Sequence, residues 1–304
     1  ISLTDKCNLR CFYCMPEEGI ALRERAHFMS AEELIEIAKV FIQLGVKKIR
    51  LTGGEPLVKR NAALVISELG KLPIDLAITT NAILVDKYIK TFKNAGIQSI
   101  NVSLDTLKES RFSNITKRNY FKKVMSNIHL LIKEKFNIKI NVVLMKNVND
   151  DEIIDFIKWS KELPIQLRFI EFMPFDGNKW DWEKKVSYSE IMETIVNHFG
   201  TDTLVKSIDQ PNDTSRNFKL LNSKGSFGII SSVTNPFCDT CNRIRLTADG
   251  KIKNCLFSNN ETDLLTPFRN NQPITELIRN SIANKKKNHG GIKSFEKTNP
   301  IDSK

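Results

Sequence analysis

The sequence predicts an α/β protein in which an incomplete TIM-like barrel of six β-then-α units precedes an α+β extension. Short β-rich runs alternate with helical stretches through about residue 176, and the rhythm changes after that point. Repeated β-then-α units imply parallel strands with right-handed crossovers. The pattern alone leaves a doubly wound sheet as the alternative. We therefore divide the chain into residues 1–176 and 177–304.

The predicted barrel strands are short apolar runs. In a barrel of this kind the active site lies at the C-terminal ends of the strands. Residues that directly follow a strand are therefore the first candidates for function. The six strands are predicted at Ile1–Thr4, Lys48–Thr52, Asp75–Thr80, Ser99–Leu104, Ile138–Met145 and Gln166–Phe172.

Helices are predicted between these strands, where apolar residues recur at helical spacing. Ser30 and Glu33 form the pattern of a capping box at the start of the first helix. A later helix around Phe92 ends at Gly96, and another surrounds Ile128.

The predicted extension begins with a second capping box, Ser187 and Glu190, which opens a helix over Tyr188–Phe199. A strand follows at Phe227–Ser232, and then a hairpin that turns at Asp249-Gly250. The two hairpin strands are predicted at Ile244–Thr247 and Lys251–Cys255.

The chain carries 46 Lys+Arg and 35 Asp+Glu, which gives a net charge of +11. This excess favours a polyanionic partner: nucleic acid, an acidic membrane surface or a nucleotide polyphosphate. The lysines are spread along the chain with little aromatic interleaving, unlike a surface that stacks nucleic-acid bases. No apolar run approaches the roughly 20 residues that span a bilayer. We therefore expect neither a nucleic-acid partner nor a membrane partner.

The six cysteines fall into two groups of three, which indicates metal chemistry in a reducing compartment. The first group has the spacing Cys-x3-Cys-x2-Cys. It can hold three irons of a [4Fe–4S] cluster and leave the fourth iron open to a small ligand. The second group, Cys-x2-Cys-x13-Cys, suits zinc and a cluster equally well by spacing alone. The groups are Cys7, Cys11 and Cys14, and Cys238, Cys241 and Cys255.

The segment CNLRCFYC, with an aromatic residue before its last cysteine, resembles the radical S-adenosylmethionine (SAM) superfamily. The segment GGEP, one βα unit later, resembles the superfamily's motif for the SAM amino group. The resemblance implies a radical SAM barrel whose open iron binds SAM and whose SAM yields a 5′-deoxyadenosyl radical on reductive cleavage. The SAM contacts that it implies are Tyr13, Gly54, Ser103 and Met173.

The segment FCDTCNRIRLTADGKIKNCLF narrows the resemblance to the molybdenum cofactor biosynthesis protein A family, the GTP 3′,8-cyclases. The similarity covers nearly the whole chain. It implies a second [4Fe–4S] cluster that binds guanine, and abstraction of the C3′ hydrogen of GTP to give (8S)-3′,8-cyclo-7,8-dihydroguanosine 5′-triphosphate. The implied GTP contacts are Arg50, Thr79, Lys139, Arg243, Ile244 and Arg245, with Lys48 and Arg168 as weaker candidates.

The residue chemistry agrees with a triphosphate substrate. Arg and Lys are the side chains that bind phosphate, and Arg does so with bidentate hydrogen bonds. Lys139 lies within an apolar strand, where a charge that is turned inward needs an anionic partner. Arg243 and Arg245 alternate with Ile244, which predicts that both point to one side of the hairpin.

The resemblance also implies partners. They are an electron donor such as flavodoxin or ferredoxin, a downstream cyclic pyranopterin monophosphate synthase and a possible homodimer. We expect a cytoplasmic protein, or one of the mitochondrial matrix if the source is eukaryotic. The family's arginine before the ISLTD motif and its Gly-Gly end lie outside these 304 residues. We therefore expect weak or absent cyclisation by the chain as given.

Two other functions compete with this prediction. The first is a radical SAM maturase that carries an auxiliary cluster and acts on a peptide or another substrate. Such an enzyme would give no reason for Arg243 and Arg245. The second is a zinc-stabilised protein that binds nucleic acid through its basic surface.

Overall fold

The computed structural model describes residues 1–15, 24–174, 182–258 and 260–291. The strands in these ranges are β1 (Lys48–Leu51), β2 (Asp75–Thr80), β3 (Ser99–Ser103), β4 (Asn137–Leu144), β5 (Ile165–Glu171), β6 (Leu204–Lys206), β7 (Arg216–Leu220), β8 (Ser226–Ile230), β9 (Arg245–Leu246), β10 (Lys251–Lys253) and β11 (Thr262–Asp263). The α-helices are α1 (Ala31–Gln43), α2 (Ala62–Gly70), α3 (Ile89–Asn94), α4 (Glu109–Thr116), α5 (Phe121–Lys133), α6 (Ile153–Glu162), α7 (Tyr188–Phe199), α8 (Leu265–Arg269) and α9 (Thr275–Ala283). None of these helices is both long and apolar enough to cross a bilayer.

The chain forms two compact units. The first consists of Ile1–Asn8, Glu18–Ile100 and Arg243–Lys304, and the second of Leu9–Glu17 and Asn101–Asn242. The predicted boundary at residue 176 lies outside the described residues, so the division at that position stays a prediction.

In the first unit, β1 and β2 pair in parallel, with Lys48 opposite Asp75. Helix α1 begins at the predicted capping box: Ser30 Oγ accepts a hydrogen bond from the Glu33 amide, and Glu33 accepts one from the Ser30 amide. The apolar side of α1, which includes Leu34 and Phe41, is buried. Periodicity and capping thus predict the position of this helix correctly.

The predicted strand Ile1–Thr4 is reduced to a single parallel bridge between Ser2 and Thr52. The amide of Leu3 donates to the Thr52 carbonyl at 2.8 Å, and the pairing ends there. Beyond this point the Thr4 carbonyl accepts from the Gly54 amide, so the chain follows the glycine loop instead of a regular strand.

The predicted hairpin is present in the first unit as β9 and β10, and β11 adds an antiparallel third strand. It turns at Gly250, whose φ is +74°. Strand β9 begins at Arg245, one residue after the predicted start at Ile244. The Arg243 carbonyl accepts a hydrogen bond from Lys285 Nζ, which is not a hairpin partner.

The second unit contains a mixed sheet in the order β4-β5-β8-β7-β6. Strands β4, β5 and β8 are parallel, and β6 and β7 are antiparallel to their neighbours. Buried and half-buried residues alternate along β4 and β5. The buried face packs on α6, where the rings of Phe156 and Phe169 meet edge to face.

Candidate active site

The glycine loop of the first unit lies directly against the backbone of the segment that leads to Cys7. The Gly54 amide donates to the Thr4 carbonyl, and the Glu55 amide donates to the Lys6 carbonyl, each at 2.8 Å. A Cβ atom on Gly54 would lie 2.4 Å from the Lys6 carbonyl oxygen. Only glycine permits this approach. The predicted SAM contact Gly54 therefore lies beside the first cysteine.

Glu55 joins the glycine loop to the end of β2. Its buried carboxylate accepts hydrogen bonds from the Leu57 amide at 3.2 Å and the Thr80 hydroxyl at 2.7 Å. It also accepts from the Asn81 amide at 2.7 Å. Burial raises the pKa of Glu55, and these three hydrogen bonds oppose that shift. A buried carboxylate with so many donors fixes both loops.

Asn81 extends this network to the cysteine segment. Its side-chain amide donates to Asn8 Oδ1 at 2.7 Å and to Cys7 Sγ at 3.9 Å. The first unit thus joins the ends of β1 and β2 to Cys7 through hydrogen bonds.

The other two cysteines of the first group belong to a turn in the second unit. The amides of Cys14 and Met15 both donate to the Cys11 carbonyl. The Phe12 amide donates to the Ile115 carbonyl at 3.1 Å, which attaches the turn to α4. The sulfur-bearing turn is therefore held by backbone hydrogen bonds.

Tyr13 is held by a buried carboxylate. Its hydroxyl donates to Asp105 Oδ2 at 2.5 Å, and Asp105 Oδ1 accepts from the Val143 amide at 2.9 Å. Burial raises the pKa of Asp105 to about 6, although both hydrogen bonds lower it. The Tyr13 ring also meets Phe172 edge to face. Tyr13 is thus attached near two other predicted SAM contacts, because Ser103 precedes Asp105 by two residues and Met173 follows Phe172.

Two predicted GTP contacts of the first unit repel each other. Burial lowers the pKa of Arg50; attraction to Asp75 opposes this shift and repulsion from Arg243 adds to it. Arg50 Nη1 is buried and has no hydrogen-bond partner among the described residues. Thr79 lies on the same face of the β1–β2 pair as Arg50, since Arg50 is opposite Ala77 and alternate residues share a face. This face can accept an anion.

Arg245 lies close to the same region of the first unit. The Ser2 amide donates to the Leu246 carbonyl at 2.8 Å, and Ser2 also bridges to Thr52 at the end of β1. Arg245 and the preceding Ile244 are both half-buried. Lys48 differs, because it is exposed and forms an ion pair with Asp75.

In the second unit, Lys139 and Arg168 lie on one face of the sheet. Lys139 is opposite Gln166, and Asn141 is opposite Arg168, so the cations occupy neighbouring strands two residues apart. Both are half-buried, on the face opposite to the one that packs on α6. The described residues of this unit thus present two cations on a single face.

The second cysteine group is divided in the same way as the first. Cys238 and Cys241 lie in one turn of the second unit, where the Cys241 amide donates to the Cys238 carbonyl at 3.1 Å. Cys255 follows β10 in the first unit. None of the six cysteines forms a disulfide bond. Within the ranges that the structure describes, no three His, Cys, Asp or Glu side chains converge on one position for a single metal ion.

Sequence reasoning overlooked three residues of these networks. Glu55, Asn81 and Asp105 lie one or two residues after the predicted contacts Gly54, Thr79 and Ser103. Each follows a strand by one to four residues. A polar residue just after a strand was the available signal.

Residues 1–160 match the Radical SAM superfamily, and residues 165–291 match Molybdenum Cofactor Synthesis C. A crystal structure of Streptococcus suis SuiB bound to S-adenosylmethionine aligns with a TM-score of 0.65 at 16% identity. The alignment covers 91% of this chain and 67% of the SuiB chain. This likeness confirms the fold as an α/β radical SAM fold.

Two curated relatives narrow the assignment. The mitochondrial GTP 3′,8-cyclase of Arabidopsis thaliana is 42% identical over 98% of this chain and 77% of its own length. Human molybdenum cofactor biosynthesis protein 1 is 41% identical over 97% of this chain. The chain belongs to the radical SAM superfamily and, within it, to the family that includes these two proteins. It spans 47% of the human protein and 52% of the Drosophila melanogaster one, about half of each.

Proposed function

We propose that the chain is a SAM-dependent GTP 3′,8-cyclase. The observation that carries the proposal is the buried Arg50 Nη1, which has no hydrogen-bond partner among the described residues and is repelled by Arg243, together with the similarity to the Arabidopsis GTP 3′,8-cyclase. Two like charges near each other, one of them partly buried, are stabilised when an anion lies between them. A nucleoside triphosphate supplies such an anion.

The cysteines fit the cofactors that this reaction needs. Two groups of three cysteines without disulfide bonds match the donor set that two [4Fe–4S] clusters, each with one open iron, would need. When bound, SAM and the first cluster supply a 5′-deoxyadenosyl radical for the C3′ hydrogen of GTP. The first cluster would be held by Cys7, Cys11 and Cys14, and the second by Cys238, Cys241 and Cys255.

The protein itself would bind and orient the two substrates. For SAM we propose contacts with Tyr13, Gly54, Ser103 and Met173. The hydrogen bond from Tyr13 to Asp105 supports this role, because it holds the ring in one orientation. For GTP we propose Arg50, Thr79, Lys139, Arg243, Ile244 and Arg245. Positioning is the main contribution of a protein whose cofactor carries the reactive chemistry.

The finer architecture and the partners belong to the same proposal. We infer a (β/α)6 barrel with a C-terminal extension that carries the second cluster. An electron donor such as flavodoxin or ferredoxin would reduce the first cluster, and a cyclic pyranopterin monophosphate synthase would consume the product. A homodimer, and a cytoplasmic or mitochondrial-matrix location, complete the proposal.

Anaerobic reconstitution with iron and sulfide tests the proposal. We expect about eight irons per chain, as two four-iron clusters require, and an EPR signal that GTP perturbs. In the Cys238→Ser variant the GTP-perturbed signal should disappear, while the signal that SAM perturbs should persist.

Other results would contradict parts of the proposal. About four irons and no response to GTP would remove the GTP assignment and favour a maturase that acts on another substrate. Zinc in place of iron would reject the enzyme assignment altogether.

A further inference from the structure

The side chain of Asn81 is fixed in one orientation next to Cys7. Asn81 Oδ1 accepts a hydrogen bond from the Ile83 amide at 3.1 Å, which assigns the oxygen and nitrogen ends of the side chain. The nitrogen end then points its two N–H groups at Asn8 Oδ1, at 2.7 Å, and at Cys7 Sγ, at 3.9 Å. Asn81 is only 7% exposed, so water does not compete freely for these groups.

A strained turn holds Asn81 in this position. Ala82, which follows it, has a left-handed backbone with φ of +63° and is fully buried. A non-glycine residue in this region costs about 1 kcal/mol or more. The Ala82 amide donates to the Thr80 hydroxyl at 3.1 Å, and the Asn81 amide donates to Glu55. These hydrogen bonds offset the strain and keep the amide directed at the cysteine segment.

We propose that Asn81 is a positioning residue that raises the reduction potential of the cluster held by Cys7. The proposal rests on the proposed function, since it requires that Cys7 be an iron ligand. Hydrogen bonds to the cluster sulfurs are one of the ways in which a protein sets that potential. The hydrogen bond to Cys7 comes from the neutral, buried side-chain amide of Asn81. Asn8 and the Ile83 amide hold this amide at its nitrogen and oxygen ends.

The direction of the effect follows from the charge. If one electron from a low-potential donor reduced the cluster without uptake of a proton, the cluster and its thiolates would gain one negative charge. An N–H group directed at the Cys7 sulfur stabilises the reduced state more than the oxidised state. Removing this donor therefore makes the cluster harder to reduce.

A potentiometric titration of the full, reconstituted chain tests the proposal, with the SAM-sensitive EPR signal as the readout for this cluster. We expect Asn81→Ala to lower the equilibrium constant for one-electron reduction about tenfold, a shift of about 59 mV to more negative potential. Asn81→Asp should shift the potential in the same direction. The aspartate keeps an oxygen that can accept from the Ile83 amide. The Asn81→Asp variant can therefore be measured if the alanine variant does not fold.

Asn8→Ala is the matched control. It removes the other hydrogen bond of the same amide and leaves the donor to Cys7, so its potential should equal that of the wild type. An unshifted potential in both Asn81 variants would overturn the proposal, and so would an equal shift in Asn8→Ala. A wild-type chain that binds no SAM-sensitive cluster would instead reject the proposed function, and this inference with it.

Discussion

The hydroxyl of Tyr13 donates a hydrogen bond to the buried carboxylate of Asp105 at 2.5 Å. This contact connects the turn between two cysteines to the residue that follows β3 by two positions. Asp105 is anchored in turn, because its carbonyl and that of Val143 both accept from the side chain of Asn149. The aromatic residue of the cysteine motif is thus oriented by the core of the second unit.

The buried carboxyl group of Asp105 should make stability depend on pH. Its pKa is about 6 in the folded protein and near 3.9 in an unfolded chain. Between these values the folded protein binds more protons, so the free energy of unfolding falls as the pH rises from about 4 to about 6. The stabilisation that protonation of Asp105 gives the folded protein is complete below about pH 4 and amounts to about 3 kcal/mol of unfolding free energy.

Urea unfolding of the wild type and of Asp105→Asn, at pH values between 4 and 7, measures this contribution. The difference in unfolding free energy between the two proteins should change by about 3 kcal/mol over this range, because asparagine does not titrate. Parallel pH profiles would show that the Asp105 carboxyl has an ordinary pKa.

Gly54→Ala should abolish SAM binding. The added Cβ would lie 2.4 Å from the Lys6 carbonyl oxygen and 2.7 Å from that of Asp5, both of them backbone atoms. The loop or the cysteine segment must then move. Calorimetric SAM titration of the reconstituted protein checks this expectation, with Gly45→Ala as the control. Gly45 has a φ of +93°, so alanine strains the backbone there, but its Cβ would have nothing within 4 Å. Equal SAM affinity for the two variants would contradict the steric argument.

Arg50→Ala should weaken GTP binding by about 2 kcal/mol, roughly 30-fold, which is typical for a hydrogen bond to a charged group. Arg50 is partly buried beside Arg243, where an anion offsets the repulsion. Lys48→Ala is the control, since Lys48 is exposed and already paired with Asp75. Its GTP affinity should stay within about twofold of the wild type, as an exposed ion pair contributes little. A larger loss in Lys48→Ala than in Arg50→Ala would contradict the proposed phosphate contact.

Glu152→Ala should destabilise the second unit by about 3 kcal/mol or more. Glu152 is fully buried and accepts hydrogen bonds from the Thr106 hydroxyl, the Leu107 amide and Arg111. Its removal leaves buried donors without their acceptor. Asp151→Ala is the comparison, because Asp151 also pairs with Arg111 but is half exposed.

Thermal or urea unfolding of both variants tests this contrast. Loss of the ion pair between Arg111 and the half-exposed Asp151 should lower the free energy of unfolding by less than about 1 kcal/mol. Similar losses of unfolding free energy in the two variants would mean that burial does not determine how much each carboxylate stabilises the protein.

The sequence was sufficient to predict features that depend on local chemistry. Strand β2 and helix α7 have the predicted bounds, and both serine capping boxes form. Apolar periodicity and caps act within a few residues, so a single chain reveals them.

Features set by distant contacts could not be predicted. The predicted N-terminal strand is reduced to one bridge, because the Gly54 amide binds the Thr4 carbonyl. The hydrogen bond from Lys285 to the Arg243 carbonyl, before β9, is a second such contact. The orientation of Asn81 toward Cys7 depends on Glu55 and on a left-handed Ala82. None of these interactions leaves a periodic signal in the sequence.

The first unit consists of chain segments that are far apart in the sequence, and this has a consequence for synthesis on the ribosome. The Ser2 amide pairs with the Leu246 carbonyl, although the two residues are far apart in the sequence. The first unit therefore cannot close until the chain has been made beyond Leu246, whereas residues 101–242 of the second unit emerge as one continuous stretch. Contacts between distant residues form slowly because they must close a long loop. Ser2 therefore lacks its Leu246 partner until the hairpin of β9 and β10 leaves the ribosome, whereas its bridge to Thr52 can form much earlier.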